Sequence, residues 1–360
     1  MTGVLDAVAG SSVVLCCGTG GVGKTTTAAA LAVAAARQGR RVVVVTIDPA
    51  RRLADALGLD GIGNDCARVE VDDLAGPGEL WVTMLDTKAT FDALIERHAH
   101  SAEQAERIFG NRYYRNLSTS LSGTREFMAM ERLYELHHDE RFDLVIVDTP
   151  PTRNALDFLE APDRLGRFLD GRLFRIAAPG RRVTKRLTAP IIVLMRRIAR
   201  VISPEVVDDT LAFIEAFAGM EDGFRERAKA VDALLADDTS AFVLVTAPQG
   251  EAIDESCYFA DQLSDSDLDV GAVVVNRLQP RFTDASGDDI AAAASAAIGT
   301  TAHPQLALLA DLVTLADAEE AQLSPLLDRC AGAPVARVPQ LDSDVHDLDG
   351  IEAIAAHLGG

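Results

Sequence analysis

Eight residues near the start of the chain have the types and spacing of a phosphate-binding loop. They are Gly18, Thr19, Gly20, Gly21, Val22, Gly23, Lys24 and Thr25, and they follow an apolar β-branched run and precede a segment rich in Ala and Leu. Glycines let successive backbone N–H groups face phosphate oxygens, and the start of a helix adds the positive end of its dipole. We expect Lys24 to reach the β- and γ-phosphates and the Thr25 hydroxyl to bind Mg²⁺. Thr26 belongs to the same predicted nucleotide site.

Two aspartates at the ends of predicted strands extend this chemistry. Asp148 ends an apolar run, and a P-loop enzyme needs such a carboxylate beside Mg²⁺ and the γ-phosphate. Asp148 and Thr25 are therefore the predicted metal ligands. Asp48 ends a second run and is a candidate for orienting the attacking water, so Lys24 and Asp48 are the predicted catalytic residues. Each aspartate is alternatively the N-cap of the next helix, which is compatible with either role.

The end of a late strand indicates which base is bound. It reads Val275-Asn276-Arg277-Leu278, without the acid by which an N-K-x-D element accepts hydrogen bonds from guanine. An asparagine amide can instead pair with the donor–acceptor edge of adenine. The predicted cofactors are ATP and Mg²⁺, with ATP favoured over GTP.

Apolar β-branched runs alternate with helical patterns along the chain, which is typical of a parallel sheet with helices on both faces. Strands are predicted at 13–17, 41–47, 80–85, 143–147, 241–246, 271–275 and 335–338. Helices are predicted at 24–38, 49–57, 124–137, 153–159, 251–263 and 347–358. The fold class is therefore α/β with a P-loop core. Ligands of such sheets bind at the carboxyl edge, where the predicted site residues meet.

A single P-loop domain is predicted over residues 1–360, with helical insertions at 90–137 and 161–236. Within the second insertion, residues 163–200 contain eleven basic and two acidic residues, a net charge of 11 − 2 = +9. One interpretation is a solvated helical face. The other is a mobile amphipathic element that meets a partner, a membrane surface or an apolar client. The polar stretch 283–289 resembles a linker.

Composition narrows the class of protein further. The chain has 34 basic and 55 acidic residues, a net charge of −21, which argues against sequence-independent binding of nucleic acid. Its longest apolar runs are about nine residues, whereas a membrane span needs about 20. Five scattered cysteines without a C-x-x-C pair are expected to be reduced core thiols. With no signal-peptide pattern at the start, the cytoplasm is the expected location.

These blocks together resemble the arsenite-pump and tail-anchored-protein-targeting ATPases, a branch of the deviant Walker-A P-loop proteins. The resemblance rests on residues 18–27, on Thr46-Ile47-Asp48-Pro49-Ala50 as a first switch and on Asp148-Thr149-Pro150-Pro151-Thr152 as a second. It implies hydrolysis of Mg²⁺-ATP, dimerisation across the nucleotide sites and ATP-driven movement of helical layers. In the targeting branch those layers bind a hydrophobic segment of a client. It also implies that Asn276 and Pro339 contact adenine.

The chain departs from the family pattern at a position that matters for catalysis. Thr19 stands where the family's signature lysine follows the first glycine, and losing a charge that reaches the phosphates across a dimer can cost about 10³–10⁵ in rate. Arg51 and Arg52 follow the first switch; they are candidates to compensate, and the alternative interpretation is a solvated face of the helix that begins there. No C-x-x-C follows Asn276, and the cysteines do not match those that bind arsenite, so a zinc-stapled homodimer and a metalloid pump are disfavoured.

Two functions of different classes are consistent with these motifs. One is an active ATPase that couples hydrolysis to a conformational change, possible clients being hydrophobic or membrane-associated. The other is a weakly active, nucleotide-binding regulatory subunit that pairs with a paralogous ATPase, which would supply the missing lysine. A membrane-positioning relative of the cell-division ATPases fits less well, because residues 351–360 contain no Lys or Arg.

Overall fold

The computed structural model of the chain describes residues 3–47, 52–59, 61–111, 114, 124–150, 212 and 220–359. It divides into two compact units. The first comprises Met1–Met84, Leu136–Leu156 and Asp237–Gly360, and the second comprises Leu85–Glu135 and Asp157–Ala236. Predicted elements or sites at residues 48–51 and 151–200 lie outside the described residues.

The described residues of the first unit form a mostly parallel sheet of eight strands. The strands are β1 (Val13–Cys17), β2 (Arg41–Thr46), β3 (Ala67–Val69), β4 (Glu79–Met84), β5 (Leu144–Asp148), β6 (Ser240–Thr246), β7 (Val270–Leu278) and β8 (Val335–Pro339). Their order is β3-β4-β2-β5-β1-β6-β7-β8. Only β3 runs antiparallel to its neighbour, β4.

The helices of the described residues follow the strands in an α/β pattern. They are α1 (Val4–Val8), α2 (Lys24–Arg37), α3 (Arg52–Ala56), α4 (Thr87–His98), α5 (Ala102–Gly110), α6 (Thr124–His137), α7 (Glu221–Leu235), α8 (Gly250–Asp265), α9 (Gly287–Ala296), α10 (His303–Gln322), α11 (Ser324–Arg329) and α12 (Leu348–Ala355). Among the helices of the described residues, none combines the length and the hydropathy that a bilayer span requires.

The predicted α/β fold class is confirmed. All seven predicted strands are present, with ends displaced by at most three residues. Most of their runs are strongly apolar, because strands such as β1 and β5 are buried on both faces. The eighth strand, β3, was not predicted, since three residues at a sheet edge leave no periodic pattern. The predicted helix 153–159 lies outside the described residues.

Helix α2 packs against the centre of the sheet and thereby fixes the loop that precedes it. Residues 27–36 are all buried, and most of them are alanines. Small side chains let the helix approach the strands closely, and alanine has the highest helix propensity. On its other side α2 packs against α12, with an ion pair between Arg37 and Glu352. The start of α2 is therefore held rigidly at the carboxyl edge of β1.

The second unit, where described, is helical and has its own core. Aromatic side chains from α4, α6 and α7 meet there, including Phe91, Phe127 and Phe224. The Glu131 carboxylate is fully buried and binds the guanidinium groups of Arg97 at 2.7 Å and Arg227 at 3.0 Å. Paired charges are required there, because an isolated buried carboxylate is costly.

Candidate nucleotide-binding site

The loop between β1 and α2 needs glycine at two positions. Gly18 has φ +147°, and a Cβ atom there would lie 2.1 Å from the Val245 carbonyl oxygen. Gly23 has φ +99°, and its Cβ would lie 2.2 Å from the Asn276 amide nitrogen. The loop therefore passes so close to the ends of β6 and β7 that a side chain at either position would displace it. This explains two of the glycines of the motif physically.

The loop places the Lys24 side chain and the start of α2 next to each other. Lys24 opens α2 and is buried, and its ammonium group donates to the Thr19 carbonyl oxygen at 2.7 Å. No acidic residue occupies the first turn of α2, and its N-cap, Gly23, has no side chain to accept from the backbone. The first N–H groups of α2 and the Lys24 charge thus form an environment suited to an anion.

Asp148 lies beside this anion environment, at the end of β5. Strand β5 lies between β1 and β2, in a register that pairs Asp148 with Cys16 and with Thr46. One carboxylate oxygen, Oδ2, accepts from the Thr25 hydroxyl at 2.8 Å and from the Thr46 hydroxyl at 2.9 Å. The carboxylate is almost fully buried, with 1% of the residue exposed. The structure thus brings the two predicted metal ligands, Thr25 and Asp148, into direct contact.

The chemistry of this group fits Mg²⁺. Its donors are hydroxyl and carboxylate oxygens, which a hard cation prefers. Cys16 lies next to Asp148, but burial first, and then the negative charge of Asp148, raise the pKa of its thiol well above the ordinary value. A raised pKa disfavours the thiolate, which is the form of cysteine that binds metals. Among the described residues, no cluster of three or more His, Cys, Asp or Glu side chains could hold a metal by itself.

The segments that lead to the predicted switches are also tied to this edge. The Thr149 hydroxyl donates to the Cys16 carbonyl at 2.7 Å, and the Ile47 N–H donates to the Asp148 carbonyl at 3.2 Å. Asp48 itself, and residues 151 and 152 of the second switch, lie outside the described residues. The strands that precede these residues, β2 and β5, nevertheless end side by side at Asp148.

Strand β7 contacts the loop from the other side through Asn276 and Arg277. The Asn276 amide nitrogen donates to the Val22 carbonyl at 2.9 Å, and its oxygen accepts from the Arg277 N–H at 3.0 Å. The Arg277 guanidinium donates to the Gly21 carbonyl at 2.9 Å. Sequence reasoning singled out Asn276 but not Arg277. The adjacency of Arg277 to Asn276 is the only signal that could have identified it.

These elements enclose a cavity of about 500 Å³. Seven of the predicted nucleotide-site residues line it, namely Gly21, Gly23, Lys24, Thr25, Thr26, Asn276 and Pro339. The remaining four, Gly18, Thr19, Gly20 and Val22, belong to the same loop but do not line the cavity. Additional lining comes from Arg52 and Asp55 of α3, from Arg277, and from the loop after β8, including Gln340 and Leu341. Of these residues, the sequence suggests only Arg52, as a candidate to compensate for Thr19. It does not predict that the loop after β8 contributes residues beyond Pro339.

Comparisons with protein families and with individual proteins identify relatives of this chain. The family described as Anion-transporting ATPase matches residues 11–293. The chain is 25% identical over 263 residues to "ATPase GET3" of Phaeosphaeria nodorum, covering 72% of this chain and 74% of that protein. It is 28% identical over 170 residues to "Protein Rv2184c" of Mycobacterium tuberculosis, covering 45% of this chain and only 40% of that protein. Since the family match spans most of the chain and includes every strand up to β7, this protein belongs to the anion-transporting ATPase family.

Proposed function

We propose that this chain binds Mg²⁺-ATP in the cavity at the start of α2 and hydrolyses it to ADP and phosphate. The observation that carries the proposal is the 2.8 Å hydrogen bond between Thr25 and Asp148, adjacent to Lys24. A hydroxyl and a carboxylate in contact, next to a lysine and a helix start, form the set that phosphoryl transfer requires. Membership of an ATPase family supports the same activity.

The residues of the loop would act mainly by positioning and by neutralising charge. Backbone N–H groups of residues 20–25 would donate hydrogen bonds to the phosphate oxygens. The Lys24 ammonium group would exchange its bond to the Thr19 carbonyl for one to a β- or γ-phosphate oxygen. Burial of Lys24 strengthens this interaction, because less water screens the charge.

Thr25 and Asp148 would hold Mg²⁺, which when bound neutralises developing charge on the phosphate oxygens. Thr46 keeps the Asp148 carboxylate oriented by donating to the same oxygen as Thr25. We further infer that Asp48, two residues beyond Thr46, orients the attacking water. The inference rests on its place in the sequence, two residues after a strand whose last residue, Thr46, contacts Asp148.

The test is the rate of phosphate release from ATP by the full chain, with and without Mg²⁺. Lys24→Ala and Asp148→Asn are expected to lower turnover by at least about 100-fold, the scale for losing one electrostatic stabiliser of a transition state. Lys88→Ala is the matched control, because this exposed lysine pairs with Asp92 and does not line the cavity. Turnover that persists in both site variants would refute hydrolysis at this site.

A second candidate function is a weakly active regulatory subunit paired with a paralogous ATPase. The observation that favours it is Thr19, an uncharged residue where relatives have a lysine. In the structure Thr19 is buried, with 8% of the residue exposed, and its carbonyl accepts from Lys24. The Thr19→Lys variant should raise the turnover of the isolated chain if the missing charge limits it. Fast turnover by a symmetric dimer of the unaltered chain would exclude this second function.

The partner and client are also proposals. The relationship to "ATPase GET3" is compatible with a dimer and with a hydrophobic client. We infer that the basic segment 163–200 makes the contact with a client or a membrane surface, because its +9 charge contrasts with the −21 of the whole chain. Sedimentation with anionic lipid vesicles, with and without ATP, tests the membrane variant of this inference. Equal sedimentation of the chain and of a variant with the eleven basic residues neutralised would exclude it.

A further inference from the structure

Arg277 adopts a backbone conformation that an arginine rarely takes. Its φ is +62°, and the only other non-glycine residues with positive φ in the described part of the chain are Asp73 and Asp267. Aspartate tolerates this region because its short side chain can bond locally, whereas arginine has no such compensation. The strain coincides with a break in the register of β7 against β8, between Val275 and Leu278. A strained residue held by regular strands is a reason to look for a function.

The strained conformation turns the Arg277 side chain toward the phosphate-binding loop. Its Nη1 donates to the Gly21 carbonyl at 2.9 Å, and the preceding residue, Asn276, donates to the Val22 carbonyl at 2.9 Å. Two successive carbonyls of the loop are therefore held by two successive residues of β7. In a loop that binds an anion, the N–H groups converge on the anion and the carbonyls point away from it. Arg277 thus contacts the loop through a carbonyl oxygen and not through the N–H groups that would face an anion.

The charge of Arg277 is not matched by a carboxylate among the described residues. Its exposed neighbours in sequence and space behave differently, since Arg281 pairs with Asp317, and Arg337 pairs with Glu320. Arg277 donates instead to a neutral carbonyl, is exposed, and lines the cavity. One planar face of the guanidinium group can therefore receive a ligand.

The cavity wall next to Arg277 has the character of a base pocket. Pro339 pairs with Leu278 in the β7–β8 ladder, and Gln340 continues it by donating to the Leu278 carbonyl at 2.7 Å. Pro339, Gln340 and Leu341 all line the cavity. Strand β8 is three strand spacings from β1, about 14 Å, so this wall lies well to one side of the phosphate-binding loop. A flat cation beside apolar side chains suits the face of an aromatic ring.

We propose that Arg277 stacks on the purine base of the bound nucleotide and, through Gly21, couples occupation of the base pocket to the position of the phosphate-binding loop. The proposal rests on the proposed nucleotide site and adds a positioning residue to it. Three observations support it: the strained φ of Arg277, its hydrogen bond to the Gly21 carbonyl of the loop, and a guanidinium group exposed in the cavity.

The test compares the affinity of the full chain for ATP with its affinity for inorganic tripolyphosphate, which has no base. Arg277→Gly removes the side chain and relieves the positive φ, so its urea midpoint should not fall below that of the unaltered chain. It should bind ATP about tenfold more weakly, while tripolyphosphate loses about twofold from release of the loop. Arg277→Lys keeps a donor for Gly21 but lacks the planar face, so it should restore tripolyphosphate binding and not ATP binding.

Arg281→Ala is the matched control and should leave both affinities unchanged, because this guanidinium already binds Asp317. Equal losses for ATP and tripolyphosphate in Arg277→Gly would show that the residue only holds the loop, which overturns the base contact. Unchanged affinities would overturn the whole inference. If the unaltered chain binds neither ligand, the proposed nucleotide site itself fails; if it binds both and Arg277 is neutral, only the present inference fails.

Discussion

Replacing Gly18 by alanine tests whether the close approach of the loop to β6 is required by the fold. A Cβ atom at this position would lie 2.1 Å from the Val245 carbonyl oxygen, whereas contacts under 3.0 Å essentially do not occur, so at least 3.0 − 2.1 = 0.9 Å of movement is needed. Both partners are backbone, and β6 is fixed between β1 and β7. The movement therefore cannot be absorbed by rotation of a side chain.

The expected cost has two parts. Overpacking of this kind costs about 1–3 kcal/mol, and the positive φ of +147° adds about 1–2 kcal/mol for a residue with a Cβ atom. Gly18→Ala should thus lower the free energy of unfolding by about 2–5 kcal/mol. Gly21→Ala is the matched control in the same loop, since φ there is +81° and no atom lies within 4 Å of the added Cβ. It should cost only the conformational part, about 1–2 kcal/mol.

Urea unfolding followed by far-UV circular dichroism measures both variants. The midpoint should fall for each, and further for Gly18→Ala than for Gly21→Ala. Equal losses would mean that the contact with Val245 does not constrain the loop. No loss for Gly18→Ala would refute the close approach itself, and with it the reason given for glycine at this position.

Three further outcomes follow from the structure. Glu131→Ala should lower the free energy of unfolding by about 3 kcal/mol in urea titrations, because it leaves Arg227, with only 15% of its side chain exposed, without its buried partner, whereas Arg97 keeps Glu135; an unchanged midpoint would contradict this. In the native chain at pH 8, one thiol should react quickly with a disulfide reagent, the half-exposed Cys66, whereas burial raises the pKa of Cys17 to about 12 and protects it; fast labelling of Cys17 in peptide mapping would be the opposite result. Mg²⁺-ATP at 100 times its dissociation constant should stabilise the chain by about 2.7 kcal/mol, seen as a raised melting temperature, and GTP at the same concentration should do less; equal shifts would contradict the preference for adenine.

Most strands were predictable because they are nearly unbroken apolar runs, as burial on both sheet faces requires. β1 and β5, with all residues buried, are the clearest cases. β3 could not be predicted in the same way, because its three residues are defined only by pairing with β4. Helices α9 to α11, for which no prediction was made, have alanine and leucine on several faces and so lack a clear helical stripe; Leu308 and Leu315 of α10 are exposed.

The candidate site was predictable where chemistry depends on the order of residues along the chain. Lys24, Thr25 and Asp148 follow from a loop spacing and from the position of a strand end, and the structure places Thr25 beside Asp148. Arg277 does not follow from such patterns. Its place depends on a register shift between β7 and β8, which arises from pairing between distant segments, so that only its adjacency to Asn276 marks it in the sequence.

The measurement that tests the central claim most directly is calorimetric titration of ATP into the full chain in the presence of Mg²⁺, with Lys24→Ala alongside. The account predicts saturable binding at one site per chain, weakened about 100-fold or more in Lys24→Ala, because the buried ammonium group at the start of α2 is the principal counter-charge for the phosphates. Absence of binding to the unaltered chain, or equal binding by the variant, would contradict it.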